Sequence, residues 1–430
     1  MPLRAATQPS PPPDFVQLAR TAVDRLVKGD YPALYAMFDD KMRAMLPEEK
    51  LRGLWATVES QAGALRKLGD AKLDVKGDIR VVFIPAEFER QQAAFQIALD
   101  ASGRIVGLNI RPVAPTTPFI DASYVNRSAF TERDVTIDVG GWPLPGTLSI
   151  PSAAGPSPAV VLVHGSGPND RDETVGPNKP FRDLAQGLAS RGIAALRYEK
   201  RTRQHGAKLT SMSNFTVNEE TVDDAVAAVA LLRGTTGIDP QRVFVLGHSL
   251  GGMLAPRIAT ASPDTRGLII LAGAVKSLEQ SIVDQSRYIA MADGTISTDE
   301  QKQLDQFQEL VERVKTLKAT DAPVGTGDIS APASYWISLR GYDPPTAATS
   351  VKQPMLILQG ERDYQVTMDD FSKWKAAVGT RPGVMMKSYP ALNHAFIAGA
   401  GRSMPAEYMT PGHVAVEVVR DIADWISRTK

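Results

Sequence analysis

Cysteine is absent from the 430-residue chain, which excludes thiol nucleophiles, thiolate metal sites and disulfides together. The absence does not fix a compartment, because a chain without thiols tolerates either redox environment. No apolar run approaches the roughly 18 residues that a membrane-crossing helix needs, so no membrane span is expected. Neither sign of charge is in excess: 48 Lys and Arg balance 48 Asp and Glu. That balance gives no electrostatic case for nucleic acid or an anionic membrane as partner. Missing too are a P-loop, a Rossmann glycine pattern and an H-E-x-x-H string. Histidine is scarce, at five residues, so every candidate general base can be weighed in turn.

What is present suggests two or three domains, the expectation for this length. Residues 1–13, "MPLRAATQPSPPP", form a Pro-rich lead-in without the apolar core of a signal peptide, and disorder is expected there. Phe15, Leu18, Ala19, Ala22 and Leu26 then share one helical face, with Asp14 as N-cap and Gly29 at the far end. Shorter helices follow in "YPALYAMFDD" and "PEEKLRGLWATVESQAG". From Ala64 polar and apolar residues alternate, with Gly77 and "DASGR" as turns, which predicts an antiparallel sheet. Helices followed by a meander make 14–112 a small α+β domain. Residues 113–129 are expected to be a linker.

Residues 130–430 have a different rhythm. "DVTIDVG" and "TLSIP" alternate as edge strands. Solidly apolar segments follow at 159–165, 192–198, 242–248, 267–273, 354–360 and 384–390, separated by helical patterns at 181–191, 217–233, 250–261, 368–378 and 411–428. Strands apolar on both faces, alternating with amphipathic helices, predict a doubly wound α/β domain around a mostly parallel sheet. Residues 274–350 are longer than any strand connection requires. They carry a stripe of Leu304, Phe307, Leu310, Val311, Val314 and Leu317, then Tyr335, Trp336 and Tyr342. An insertion above the carboxyl ends of the strands is expected to act as a cap.

One short stretch concentrates the chemistry. Gly247-His248-Ser249-Leu250-Gly251 matches G-x-S-x-G between a strand and a helix, the setting of a nucleophile elbow. Gly247 and Gly251 must be small for strand and helix to approach, and Ser249 is presented at the turn. A serine needs a base, itself oriented by an acid. In chain order Asp363 follows the strand ending at Gly360, and His394 follows the strand ending near Tyr389, so both reach the edge that carries Ser249. Glu361 is the nearest rival acid, whereas Asp369 and Asp370 suit the first turn of a helix. Of the other histidines, His164 precedes the serine and His248 points away from where a base must approach. His205 lies in the charged loop "EKRTRQHGAK", and His413 is expected to open the terminal helix.

An oxyanion needs backbone donors. One is the Leu250 N–H; the other is expected in His164-Gly165-Ser166-Gly167-Pro168, from Ser166 or a neighbouring glycine. The string "NDRDETVG" resembles a calcium loop through Asp170 and Asp172, but Phe181 stands where the bidentate glutamate belongs. No metal site and no cofactor are expected.

Through "HGSGPNDRDE", "RYEKR", "GHSLGG", "GERD" and "NHAF", residues 130–430 resemble the α/β-hydrolases, and "HGSGPNDRD" is similar to a bacterial serine carboxylesterase group. Members of that group carry a small domain in front, which here resembles the cone-shaped, nuclear-transport-factor-like α+β fold. The resemblance implies acyl-enzyme hydrolysis of small carboxylic esters with short or medium acyl chains. Ser249 is then the nucleophile, His394 the base, Asp363 its orienting acid, and the Leu250 and Ser166 amides the oxyanion donors. Many members are exported, which favours a periplasmic over a cytoplasmic setting. A front domain of that shape either pairs two copies of the chain or walls one side of the pocket, and the sequence leaves both open. Rival activities on the same fold are a serine peptidase, an acyltransferase or thioesterase, and a carbon–carbon bond hydrolase with its own Ser-Gly loop. The peptidase would need an acidic anchor, for which Asp293, Asp299 and Glu300 are candidates. A non-catalytic binding protein would have no use for all three candidate residues together with an oxyanion loop.

Overall fold

The computed structural model describes residues 13–76, 78–90, 92–112, 119–153, 155–210, 212, 214–326 and 329–429. The lead-in up to residue 12, the turn residue Gly77 and the linker's first part, 113–118, lie outside them. The chain divides into two compact units, Met1–Thr117 and Pro118–Lys430.

In the first unit four helices, Phe15–Val27, Tyr31–Ala36, Asp40–Met45 and Glu48–Ala62, precede five strands. Asp14 caps the first helix as expected, its carboxylate accepting the Gln17 N–H at 3.0 Å. The strands are β1 (Leu65–Leu68), β2 (Lys72–Lys76), β3 (Ile79–Phe88), β4 (Gln92–Leu99) and β5 (Ile105–Pro112). They pair antiparallel in the order β1-β3-β4-β5, with β2 also on β3. The inward residues of β3 and β4 form a core with the helices, in which Trp55 lies against Phe88 and Phe95.

The second unit is built on eight strands: β6 (Phe130–Asp138), β7 (Pro143–Pro151), β8 (Ser157–Val163), β9 (Ala194–Tyr198), β10 (Ile238–His248), β11 (Leu268–Leu271), β14 (Met355–Gly360) and β15 (Val384–Tyr389), with a short hairpin of β12 (Val324–Thr326) and β13 (Ile329–Ala331) in the insertion. Their order is β15-β14-β11-β10-β8-β9-β7-β6, antiparallel at β6–β7 and β7–β9 and parallel elsewhere. Val160, Val161, Leu162 and Val163 are all fully buried, because helices cover both faces of the central strands. The edge strand β15 departs from the expected pattern: its residues alternate between half-buried and exposed, and Met385 is open to solvent. Its exposed residues, Met385 and Lys387, lie two apart and so share one face of the sheet, which is covered less completely here than over the central strands.

Two further expectations change. Residues 119–129, read as linker, pack on the second unit: the Tyr124 hydroxyl donates to the Val414 carbonyl at 2.7 Å, and Asp121 pairs with Arg127 and Arg182. The terminal helix starts at Val416 rather than 411. His413 therefore lies before the helix, where its ring meets the buried Asp183 carboxylate at 3.1 Å. No helix among the described residues is long and apolar enough to cross a membrane.

The insertion settles against two neighbouring regions of its own unit. Tyr288, on the helix Leu278–Ala290, stacks on Tyr364 with centroids 4.8 Å apart. Tyr335, on the helix Ala333–Leu339, donates its hydroxyl to Glu220 at 2.7 Å. The stripe on the helix Thr298–Thr316 buries Leu304, Phe307, Leu310, Val311 and Val314 as its period predicts.

Candidate active site

All parallel strands of the large sheet end on one edge, and the candidate residues follow four of them: the 164–168 loop after β8, Ser249 after β10, Asp363 after β14 and His394 after β15. Ser249 has φ 54° and ψ −113°, in the sparsely populated left-handed region. For a side-chain-bearing residue this costs of order 1–3 kcal/mol and persists only where surrounding structure imposes it. Here the imposition is visible. The Ser249 N–H donates to the Leu271 carbonyl at 2.9 Å, and its carbonyl accepts the Met253 N–H at 2.8 Å. A Cβ at Gly247 would overlap the Gly251 carbonyl, and one at Gly251 would overlap the Val163 carbonyl. Only glycine lets strand and helix meet this closely.

Asp363 is buried, and every lone pair it presents is engaged. Oδ1 accepts the N–H groups of Gln365 at 2.8 Å and Val366 at 3.0 Å. Oδ2 accepts from the Gln359 amide at 3.2 Å and lies 2.6 Å from His394 Nδ1. That contact fixes the ring's orientation and leaves Nε2 as its free nitrogen. The His394 turn is shaped by Asn393, whose side-chain oxygen accepts the N–H groups of Ala395 and Ile397, both at 3.1 Å. The Ser249 hydroxyl forms no hydrogen bond to the His394 ring here. The elbow and the histidine turn are joined instead through His248, whose Nε2 lies 2.9 Å from the His394 carbonyl.

The loop after β8 lies against the elbow: a Cβ at Gly165 would sit 3.2 Å from that of Ser249. The Gly165 N–H donates to Glu173 Oε1 at 2.7 Å, so it is occupied. The Ser166 N–H meets no acceptor among the described residues, and Leu250 begins its helix, where the N–H has no partner within the helix. Gly167 turns the loop with φ 89°.

Behind this loop are charges that the sequence did not single out. Glu173 Oε2 lies 3.0 Å from His248 Nδ1, an ion pair off the axis of a hydrogen bond. A backbone carbonyl and an ionised carboxylate can only accept, so both neighbours of the ring favour its imidazolium form. Burial opposes that charge, but Glu173 and the His394 carbonyl outweigh it, holding the His248 pKa above its ordinary value. Burial would raise the Glu173 carboxyl; His248 outweighs burial and brings it below the usual range. Lys200, at the start of the charged loop that carries His205, is only 2% exposed, with Glu220 3.1 Å away and the Gly165 carbonyl at 2.7 Å. No short-range pattern announces these partners; the nearest signal is the charge density of "NDRDE" and "YEKR" beside apolar strands.

The remaining candidates have other occupations. Burial pushes His164 down to about 4, and its Nε2 faces the Asp170 carbonyl at 3.0 Å. His205 lies 2.9 Å from the Pro143 carbonyl. Glu361 accepts from Ser388 on β15 at 2.7 Å, and Asp370 closes a capping box with Thr367. Asp170 accepts the Asp172 and Thr174 N–H groups, while Asp172 pairs with Lys179 and Arg197. Asp293 accepts from Thr295, Asp299 pairs with Lys302, and Glu300 caps its helix with Ser297.

Comparison with known proteins gives two family matches. Residues 155–398 match the model described as serine aminopeptidase, S33. Residues 19–108 match a family described as a protein of unknown function, DUF3887. The chain is 36% identical to esterase EstD of Thermotoga maritima over 412 residues, covering 96% of this chain and 95% of that one. Among solved structures it is similar to Est1E from Butyrivibrio proteoclasticus (14% identity, TM-score 0.45, 69% of this chain and 99% of that chain). It is also similar to the esterase of Pyrobaculum calidifontis (19% identity, TM-score 0.46, 69% and 85%).

Proposed function

Since the chain belongs to the α/β-hydrolase family of serine hydrolases, we propose that it is a carboxylic ester hydrolase acting on small esters with short or medium acyl chains through Ser249, His394 and Asp363. His394 Nε2 takes the proton of the Ser249 hydroxyl as the oxygen attacks the ester carbonyl. The tetrahedral oxyanion is held by the N–H groups of Leu250 and Ser166. Collapse breaks the bond to the alkoxy oxygen, which leaves as alcohol with the proton from His394. Water, deprotonated by the same ring, then attacks the acyl-Ser249 ester; the bond to Ser249 Oγ breaks, the serine takes the proton back from His394, and the acid is released.

The observation that carries this reading is the 2.6 Å contact between Asp363 and His394 Nδ1, on a turn bonded to the residue beside the strained Ser249. Esterase activity in a relative matched along nearly its whole length supports the ester as the substrate class. The peptidase reading needs a free acid for an amino terminus, and Asp293, Asp299 and Glu300 are held in a turn, a surface pair and a helix cap.

The test is hydrolysis of p-nitrophenyl esters of increasing acyl length, beside aminoacyl anilides and acyl thioesters. Ester turnover falling off at long acyl chains is expected, with Ser249→Ala inactive but folded and an organophosphonate labelling Ser249 alone. Preference for anilides, or full activity in Ser249→Ala, refutes the proposal.

A further inference from the structure

We propose that Lys200 is a positioning residue for the oxyanion site, its buried ammonium gripping the Gly165 carbonyl and thereby aiming and polarising the Ser166 N–H. The inference rests on the ester-hydrolase reading above, in which that N–H is one of two donors to the oxyanion.

The argument starts from the peptide unit. No peptide bond among the described residues is cis, so the Gly165 carbonyl and the Ser166 N–H belong to one planar trans unit and point in opposite directions. Fixing the oxygen therefore fixes the hydrogen. Lys200 Nζ donates to that oxygen at 2.7 Å. The preceding peptide is fixed from its other end, where the Gly165 N–H donates to Glu173 at 2.7 Å. The loop is thus held between a buried cation and a buried anion while lying against Ser249.

A clamp alone does not require a charge. The Asn169 amide already donates to the Gly165 carbonyl at 3.2 Å and to the Ser166 carbonyl at 3.0 Å. Burying an ammonium costs several kcal/mol unless it is paired, and a second residue, Glu220, is buried 3.1 Å away to pair it. What the charge adds is polarisation. A cation at a carbonyl oxygen draws electron density along the conjugated amide, and in a low-dielectric interior it strengthens the opposite N–H as a donor. That gain is largest when the acceptor becomes an oxyanion, so it acts on the transition state more than on bound ester.

Glu220 occupies the π-helical turn Asn218–Val222, a distortion often found at functional sites. Its second oxygen accepts the Tyr335 hydroxyl at 2.7 Å. The insertion is thereby joined to the oxyanion loop through Tyr335, Glu220, Lys200 and the Gly165 carbonyl, with Thr202 also within 3.4 Å of Glu220.

The test uses the full chain with Lys200→Met, and active sites counted by organophosphonate titration. Turnover of p-nitrophenyl butyrate per titrated site should fall roughly 10- to 100-fold, somewhat less than loss of a whole oxyanion donor, with KM within about twofold. Affinity for a trifluoromethyl ketone, whose adduct carries an oxyanion, should fall in parallel. Because Lys200→Met leaves Glu220 without its cation, the double variant Lys200→Met/Glu220→Gln removes the pair together and should show the same losses. A merely structural lysine would lower the number of titratable sites and leave turnover per site unchanged. A double variant that titrates fully and retains wild-type turnover overturns this inference alone. A wild-type chain that neither hydrolyses esters nor reacts with the phosphonate overturns the ester reading as well.

Discussion

Replacing Glu173 by Gln isolates one charge without changing side-chain size. Glu173 and His248 lie 3.0 Å apart with side chains about a tenth exposed, and removing one partner of a buried pair costs about 3–5 kcal/mol. The amide oxygen of Gln can still accept the Gly165 N–H, which places the expected loss near the lower end, about 3 kcal/mol. At about 2 °C per kcal/mol for a unit of this size, the midpoint of thermal unfolding should fall by roughly 6 °C. The pH dependence is the sharper signature. His248 is raised in the folded state, so its contribution is complete below the ordinary 6.5 and is lost as pH rises through the folded value. Glu173 is lowered, so its contribution is complete above the ordinary 4.5 and is lost as pH falls through the folded value. The gap between wild type and variant should therefore be widest between about pH 4.5 and 6.5, narrowing on either side. Thermal unfolding followed by circular dichroism over a pH series measures it. A gap of constant size across that series, or none, would show that no charged pair links the two residues.

Asp363→Asn should leave the chain folded and lower kcat by about 10⁴-fold. Its remaining oxygen stays with the Gln365 and Val366 N–H groups, so the new amide faces His394 Nδ1 and forces the proton onto Nε2; steady-state kinetics with an ester decide. Trp55→Ala should destabilise the first unit by about 3–5 kcal/mol, because the ring is buried against Phe88 and Phe95. Differential scanning calorimetry should show an early transition for that unit, and an unchanged trace would refute the placement of Trp55 at its centre.

How far the sequence could be read depended on the range of the interactions involved. The parallel strands and the helix Leu250–Ala261 were legible because hydrophobic period and glycine placement act over a few residues. The order Ser249, Asp363, His394 was legible because each follows a recognisable strand end. The exposed face of β15 was not, since an apolar run does not say how completely each face of the sheet will be covered. The burial of Lys200 was not legible either: burial is a property of the neighbours, and its neighbours come from elsewhere in the chain.

By itself, then, the sequence determined the alternation of strands and helices, the sharp turn at residues 247–251 and the inventory of groups able to act there. Tertiary structure alone decided which buried polar groups face each other. Gly165 and Lys200 are 35 residues apart, and His248 meets the His394 carbonyl across 146 residues. Those pairings follow from strand order and close packing, which bury distant carboxylates, ammonium and imidazole together, where a charge must find its counterpart.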